Sequence, residues 1–265
     1  MIDQITVTGI SELADTALKL TERFNTTDIW YRGHACASYT MLPTLIRAGY
    51  SPEVEAGLYE EFRIRAVSRH RDFPAGDGSV ATAHRMTIMR HYGLPTRLLD
   101  WSNSALVAAF FAVGEVRYKC DAVLWALCPQ TLNELRINQR FIASLSGGVA
   151  YDELLKALTG QGSTATFAAR SPEVDPRMFA QQGSSYTFHG DPVPLDETAD
   201  ADKFLVKLVI PSEVRVEFAT YLVALGMRLS SIYPDLQNLA REMCATRTAD
   251  KLLFDPEYIS PCACA

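Results

Sequence analysis

Apolar residues recur at helical spacing at Leu13, Ala17, Leu20 and Phe24, with Ser11 placed to cap the helix they define. A second helix is predicted from Ser51-Pro52-Glu53, where serine caps, proline fills the first turn and glutamate meets the positive helix end. Val54, Leu58, Phe62 and Ala66 continue it as one buried stripe, and Glu60, Glu61, Arg63 and Arg65 form a solvated face. After the turn residues Ala75 to Ser79, a helix from about Val80 to Tyr92 is expected. The segment Ala105 to Val113, capped by Ser102, is apolar on nearly every side and so predicts a central helix.

Strand patterns stand out in two places. Val123, Leu124, Trp125 and Leu127 make a continuous apolar run that predicts a buried strand over Asp121 to Cys128, after which Thr131 and Glu134 suggest a capping box. Lys203 to Ile210 alternates, with Phe204, Val206, Leu208 and Ile210 on one face and Lys203 and Lys207 on the other. Pro211 and Ser212 end that strand and begin a helix closed by Gly226. Helices and strands are mixed without regular alternation, which predicts an α+β fold: a mixed or antiparallel sheet flanked by helices. The weak signals from Leu145 to Pro176 predict a helical insertion, spanning about 131–176, that covers the site. One domain over 1–265 is expected, with a motif core at about 25–128, C-terminal strands and helices at 177–245 and a tail at 246–265.

Composition narrows the classes. With 265 residues, 48% of them hydrophobic and 21% charged, the chain has the balance of a soluble globule. A net charge of -6 argues against non-specific DNA binding. No stretch is long and uncharged enough to span a membrane. The six cysteines, without a leading basic-then-apolar segment, predict reduced thiols and a cytoplasmic location. Cys262 and Cys264 lack the second pair a zinc site needs, and no metal is expected. Phosphate-loop, dinucleotide-fingerprint, zinc-protease and nucleophile-elbow motifs are absent.

Chemistry concentrates in three polar clusters. The first is Asp28-Ile29-Trp30-Tyr31-Arg32-Gly33-His34, a short strand. The second is His91-Tyr92-Gly93-Leu94-Pro95-Thr96-Arg97-Leu98-Leu99-Asp100-Trp101-Ser102, a corner where Gly93 ends a helix and Pro95 prevents it resuming. The charges of Arg97 and Asp100, set among leucines and Trp101, need partners there. The third runs from Arg177 through Gln181-Gln182-Gly183 to His189. Together with Leu42-Pro43-Thr44-Leu45-Ile46-Arg47 and Ile232-Tyr233-Pro234-Asp235-Leu236, these stretches resemble the FRG domain family, named for an aromatic-Arg-Gly motif that stands here as Tyr31-Arg32-Gly33.

The same strand is similar to the first motif of one group of ADP-ribosyltransferases, and that resemblance implies NAD as substrate. It implies catalytic roles for Arg32, His91, Asp100 and Gln181, and cofactor binding by Tyr31, Gly33, Tyr92, Arg97 and Gln182. Arg32 and Arg97 would grip pyrophosphate, Tyr92 would stack on nicotinamide, and Gln181 or Gln182 would bind ribose. The implied setting is toxin-like or phage-defence, with a protein or RNA acceptor and an antitoxin or regulator as partner. The third cluster departs from that pattern: it offers glutamines where the transferases carry a glutamate, so Asp100 would have to supply the carboxylate. His91-Tyr92-Gly93 stands where a serine-threonine-serine motif is usual. Two other readings stay open: a non-catalytic nucleotide- or partner-sensing module, and RNA cleavage with His91 as base. A structural reading of the second cluster also stands, in which Arg97 and Asp100 pair with each other or with Arg32.

Overall fold

Eight strands pair into two sheets in the computed structural model, which describes residues 1–70, 72–114, 119–173 and 176–245. The strands are β1 (Asp3–Thr6), β2 (Trp30–His34), β3 (Leu98–Trp101), β4 (Ala122–Leu127), β5 (Ala143–Ser144), β6 (Thr166–Arg170), β7 (Ser185–His189) and β8 (Leu205–Ile210). The helices are α1 (Ile10–Phe24), α2 (Thr44–Arg47), α3 (Pro52–Ala66), α4 (Ser79–His91), α5 (Ala105–Val113), α6 (Pro129–Ile137), α7 (Gly148–Leu158), α8 (Pro176–Ala180), α9 (Arg215–Ala224), α10 (Leu229–Ile232) and α11 (Leu236–Ala245). The first sheet has the order β1-β8-β4-β2 and the second β3-β7-β6-β5. In each, one edge strand is parallel to its neighbour (β1 to β8, β5 to β6) and the other pairings are antiparallel. The fold is α+β.

Three apolar clusters define four layers. Tyr31, Leu124, Val206 and Leu208 on one face of the first sheet pack with Leu13, Phe110 and Phe218 of α1, α5 and α9. The opposite face carries Trp30, Val123, Trp125 and Leu205, which meet Leu99, Trp101 and Ala168 of the second sheet. The far face of that sheet, with Leu98, Phe167 and Phe188, is covered by α3, α4 and α7 through Tyr59, Met86 and Leu154. A strand buried on both faces has no polar positions to spare, which is why β4 is buried at all six residues.

Local signals were displaced in several places. Gly9, not Ser11, precedes α1 and makes no side-chain cap. Ser104 rather than Ser102 caps α5, and α6 begins at Pro129 after Cys128, without the Thr131–Glu134 box. On α3 the Ser51 cap is present, but Glu55 and Tyr59 are buried while Val54 is exposed, so the stripe is rotated by one position. The segment 131–176 is not purely helical: alongside α6 and α7 it supplies β5 and β6, and Phe167, Ala168 and Ala169 build the core. Its strand residues are committed to the second sheet, and α7 packs on α3. The expected tail, with Cys262 and Cys264, lies outside the described residues.

Candidate functional site

The two sheets are stitched together where their edge strands meet. Tyr31 N–H donates to Ser102 O at 2.7 Å, and Ser102 N–H donates back to Tyr31 O at 2.8 Å. Alternation along β2 sends Tyr31 and Gly33 toward α5 and sends Trp30, Arg32 and His34 toward the second sheet. The Arg32 guanidinium therefore lies against β3, where Nη1 donates to the Asp100 carbonyl at 2.6 Å and Nε donates to His34 Nε2 at 3.2 Å.

Asp100 is the acidic member of this corner. Its carboxylate is held by Arg90 from the last turn of α4, with Nε at 3.0 Å and Nη2 at 2.5 Å, a fork geometry suited to a carboxylate. Burial of the group works to raise its pKa, but the charge and hydrogen bonds of Arg90, with the charges of Arg32 and Arg177, outweigh that and hold the carboxyl below its ordinary range. The Asp100 side chain keeps 41% of its surface exposed, so it is ionised at a site solvent can reach. Across the strand pair, Tyr186 is buried opposite Asp100, and both burial and that charge raise its phenol pKa.

The third cluster closes the corner from the α8–β7 turn. Ser102 Oγ donates to the Gln181 carbonyl at 2.7 Å, and Asn103 N–H donates to the Gln182 carbonyl at 3.0 Å. Gln181 Nε2 donates to the Ile232 carbonyl, and the Arg177 guanidinium lies 4.3 Å from the centre of the Tyr233 ring. The Ile232-Tyr233 stretch is thereby drawn to the same place as Arg32 and Asp100.

His34 is nearly buried, and its pKa falls to about 3 because burial, then Arg32, Arg47 and Lys207, penalise the imidazolium. A hydrogen bond from the imidazole to the Tyr39 backbone works the other way. Since Nε2 accepts from Arg32, the neutral ring carries its proton on Nδ1. His189 behaves similarly: burial first, then Arg32 and Arg97, lowers it to about 3.

Of the residues singled out by sequence, Arg32, Asp100 and Gln181 are brought together. Tyr31 is not available to a cofactor: its ring is buried in the core, and burial pushes its phenol up to about 12. Gly33 is a packing residue, since a Cβ there would lie 2.0 Å from the Ala108 carbonyl of α5. Arg97 is buried in an ion pair with Glu55, with Nε 2.9 Å from the carboxylate, a further bond to the His189 carbonyl and its guanidinium over Phe188. It cannot grip a pyrophosphate from there, and it pairs with neither Asp100 nor Arg32. Gln182 takes the left-handed conformation, φ 47°, and serves the turn through its backbone. His91 and Tyr92 stack edge-on at 5.2 Å at the end of α4, and Tyr92 is exposed, also edge-on to His70 at 6.1 Å. Trp101 is core, donating to Thr187 Oγ1.

Sequence reasoning assigned no site role to Arg90, Arg177 or His34. Arg90 lies one helical turn before the corner glycine, and Asp100 follows ten residues later, a separation no local rule flags. Cys36 and Cys120 are disulfide-bonded, contrary to the expectation of free thiols, whereas Cys128 and Cys244 are free. Among the described residues no helix is long and apolar enough to cross a membrane, and no cluster of metal-ligating side chains is present.

Comparison with known proteins gives one match. No curated protein and no solved structure matches the chain significantly. The family model described as FRG domain matches residues 27–120, which include Arg32, Arg90, Asp100 and the strand join between Tyr31 and Ser102. Within residues 27–120 the chain is similar to the FRG domain family.

Proposed function

We propose that this chain recognises a nucleotide through its phosphates, with NAD as the ligand that the motif order favours. The observation that carries the reading is the gathering of arginines at Asp100: Arg90 forks onto its carboxylate, Arg32 bonds to its backbone carbonyl, and the charge of Arg177 also acts on the carboxylate. Guanidinium groups on separate elements, held by neighbouring backbone and aromatic groups, suit the paired oxygens of a pyrophosphate. Arg32 would meet the phosphates, Gln181 a ribose hydroxyl and Tyr233 the flat face of a base.

Cleavage of the nicotinamide–ribose bond is the further step that the transferase resemblance implies. It needs a carboxylate facing the positive charge that develops on the ribose. Asp100 is ionised and reachable, but its charge is engaged by Arg90, which favours binding without rapid turnover. The reading that better fits this pairing is therefore a nucleotide-sensing module, with ADP-ribosyl transfer to a protein or RNA acceptor as the activity to test.

Calorimetric titration with NAD, paired with chromatography for released nicotinamide, tests both levels. NAD should bind, and Arg32→Ala should weaken it about tenfold or more, the worth of a charge-assisted hydrogen bond. Absence of NAD binding by the intact chain sinks the proposal. Nicotinamide release that depends on Asp100 would make the protein an enzyme.

A further inference from the structure

We propose that a cavity at the opposite end of β7 from Asp100 is a binding site for a free α-amino acid in its zwitterionic form. The cavity holds about 320 Å³ and is lined by Arg136, Thr164, Thr166, Asp191, Glu197 and Thr198 among others. Sites for small ligands run from about 300 to 1,000 Å³, so this one suits a metabolite at the small end of that range.

Its lining and the strand neighbour beside it hold buried polar atoms without partners. Thr166 is 5% exposed, and its Oγ1 is buried with no hydrogen-bond partner. Arg136 uses Nη2 on the Ala199 carbonyl at 2.6 Å, while its Nε is buried and unpartnered. Beside Thr166 in the strand register sits His189, fully buried. The Trp101 indole donates to Thr187 Oγ1, which lies 3.0 Å from His189 Nε2. His189 Nδ1 is likewise buried without a partner. Orphaned buried polar groups cost stability, and a ligand that supplied the missing partners would recover that cost on binding.

The lining also carries two carboxylates. Asp191 and Glu197 line the same cavity, and Asp191 spends one oxygen on Val193 N–H. A guanidinium and a hydroxyl share this cavity with two carboxylates that form no ion pair with Arg136, a set that matches a ligand carrying both an anionic and a cationic group. A carboxylate directed to Arg136 and Thr166, with its ammonium directed to Asp191 and Glu197, satisfies both sets, whereas a simple anion would face the carboxylates and a simple amine would face the guanidinium.

The test is a thermal-shift screen of the full chain with each protein amino acid at millimolar concentration, followed by calorimetric titration of those that stabilise it. At least one should raise Tm by several degrees. Its methyl ester and N-acetyl derivatives, which each lack one charge, should bind at least tenfold more weakly. Thr166→Val and the rim variant Asp191→Asn should each cost about tenfold in affinity; if Thr166→Val fails to fold, Asp191→Asn decides. The proposal is overturned if no amino acid shifts Tm, if the ester or N-acetyl form binds equally well, or if binding is indifferent to the rim carboxylate.

Discussion

Arg32 Nε–H is donated to Nε2 of His34, two positions further along the same strand face and 3.2 Å away. The bond needs a neutral imidazole, and burial, reinforced by the charges of Arg32, Arg47 and Lys207, keeps it so. In the unfolded chain the same histidine titrates near its ordinary value of 6.5, against about 3 when folded, and His189 follows the same course. The unfolded state therefore binds more protons in that interval, and stability rises with pH through it. Urea midpoints should be flat above pH 6.5 and fall steadily below it, with the slope reduced in His34→Gln, whose amide oxygen can still accept from Arg32. A slope unchanged in that variant would remove His34 as a source.

The Arg90–Asp100 pair predicts a different titration. Arg90→Gln should raise the Asp100 pKa, because the group that chiefly holds it down is gone. The stability contribution of this pair is present above the ordinary carboxylate value of 3.8 and is lost as pH falls through the lower folded value. Since the carboxylate is partly exposed, the cost at neutral pH should be about 1 kcal/mol or less. Carboxyl carbon NMR of Asp100 against pH reads the shift directly, and no upward movement would contradict the assignment.

Gly33→Ala should be among the most damaging small substitutions in the chain. The added methyl would meet the Ala108 carbonyl at 2.0 Å and the Ala112 nitrogen at 2.6 Å, both helix backbone that cannot rotate aside. A loss of about 3 kcal/mol or more is expected in chemical denaturation. A variant that folds with normal stability would mean that α5 can shift away from β2.

Arg97→Ala should behave as a core variant, not as a binding variant. It strands the Glu55 carboxylate, which has no exposed surface, and the expected cost is about 3 to 5 kcal/mol. Joint replacement, Arg97→Met with Glu55→Leu, should recover much of that stability and leave NAD affinity within about twofold. Loss of NAD binding in the well-folded double variant would return Arg97 to the site.

The aromatic-Arg-Gly motif and the corner from His91 to Ser102 were legible because their residue types and turn signals are local. Arg32 and Asp100 meet, yet the contact was hidden, since the bridge between Tyr31 and Ser102 joins segments about seventy positions apart. Glu55 illustrates a second limit. A periodicity count places a glutamate on the wet face, and only Arg97, 42 positions away, makes its burial tolerable. The β6 strand was obscured by the glycines and serine-proline that surround it, and its short alanine-rich run is ambiguous between strand and helix.

The reciprocal backbone bonds between Tyr31 and Ser102 have a consequence for how any macromolecule could approach. β2 closes one sheet and β3 closes the other, and strand edges ordinarily offer their N–H and carbonyl groups to a passing extended peptide. Here each edge occupies the other at the centre of the site, so neither can be extended there by a foreign strand. Any protein partner of this corner would have to engage it through side chains, since the backbone groups of Tyr31 and Ser102 are already taken by one another.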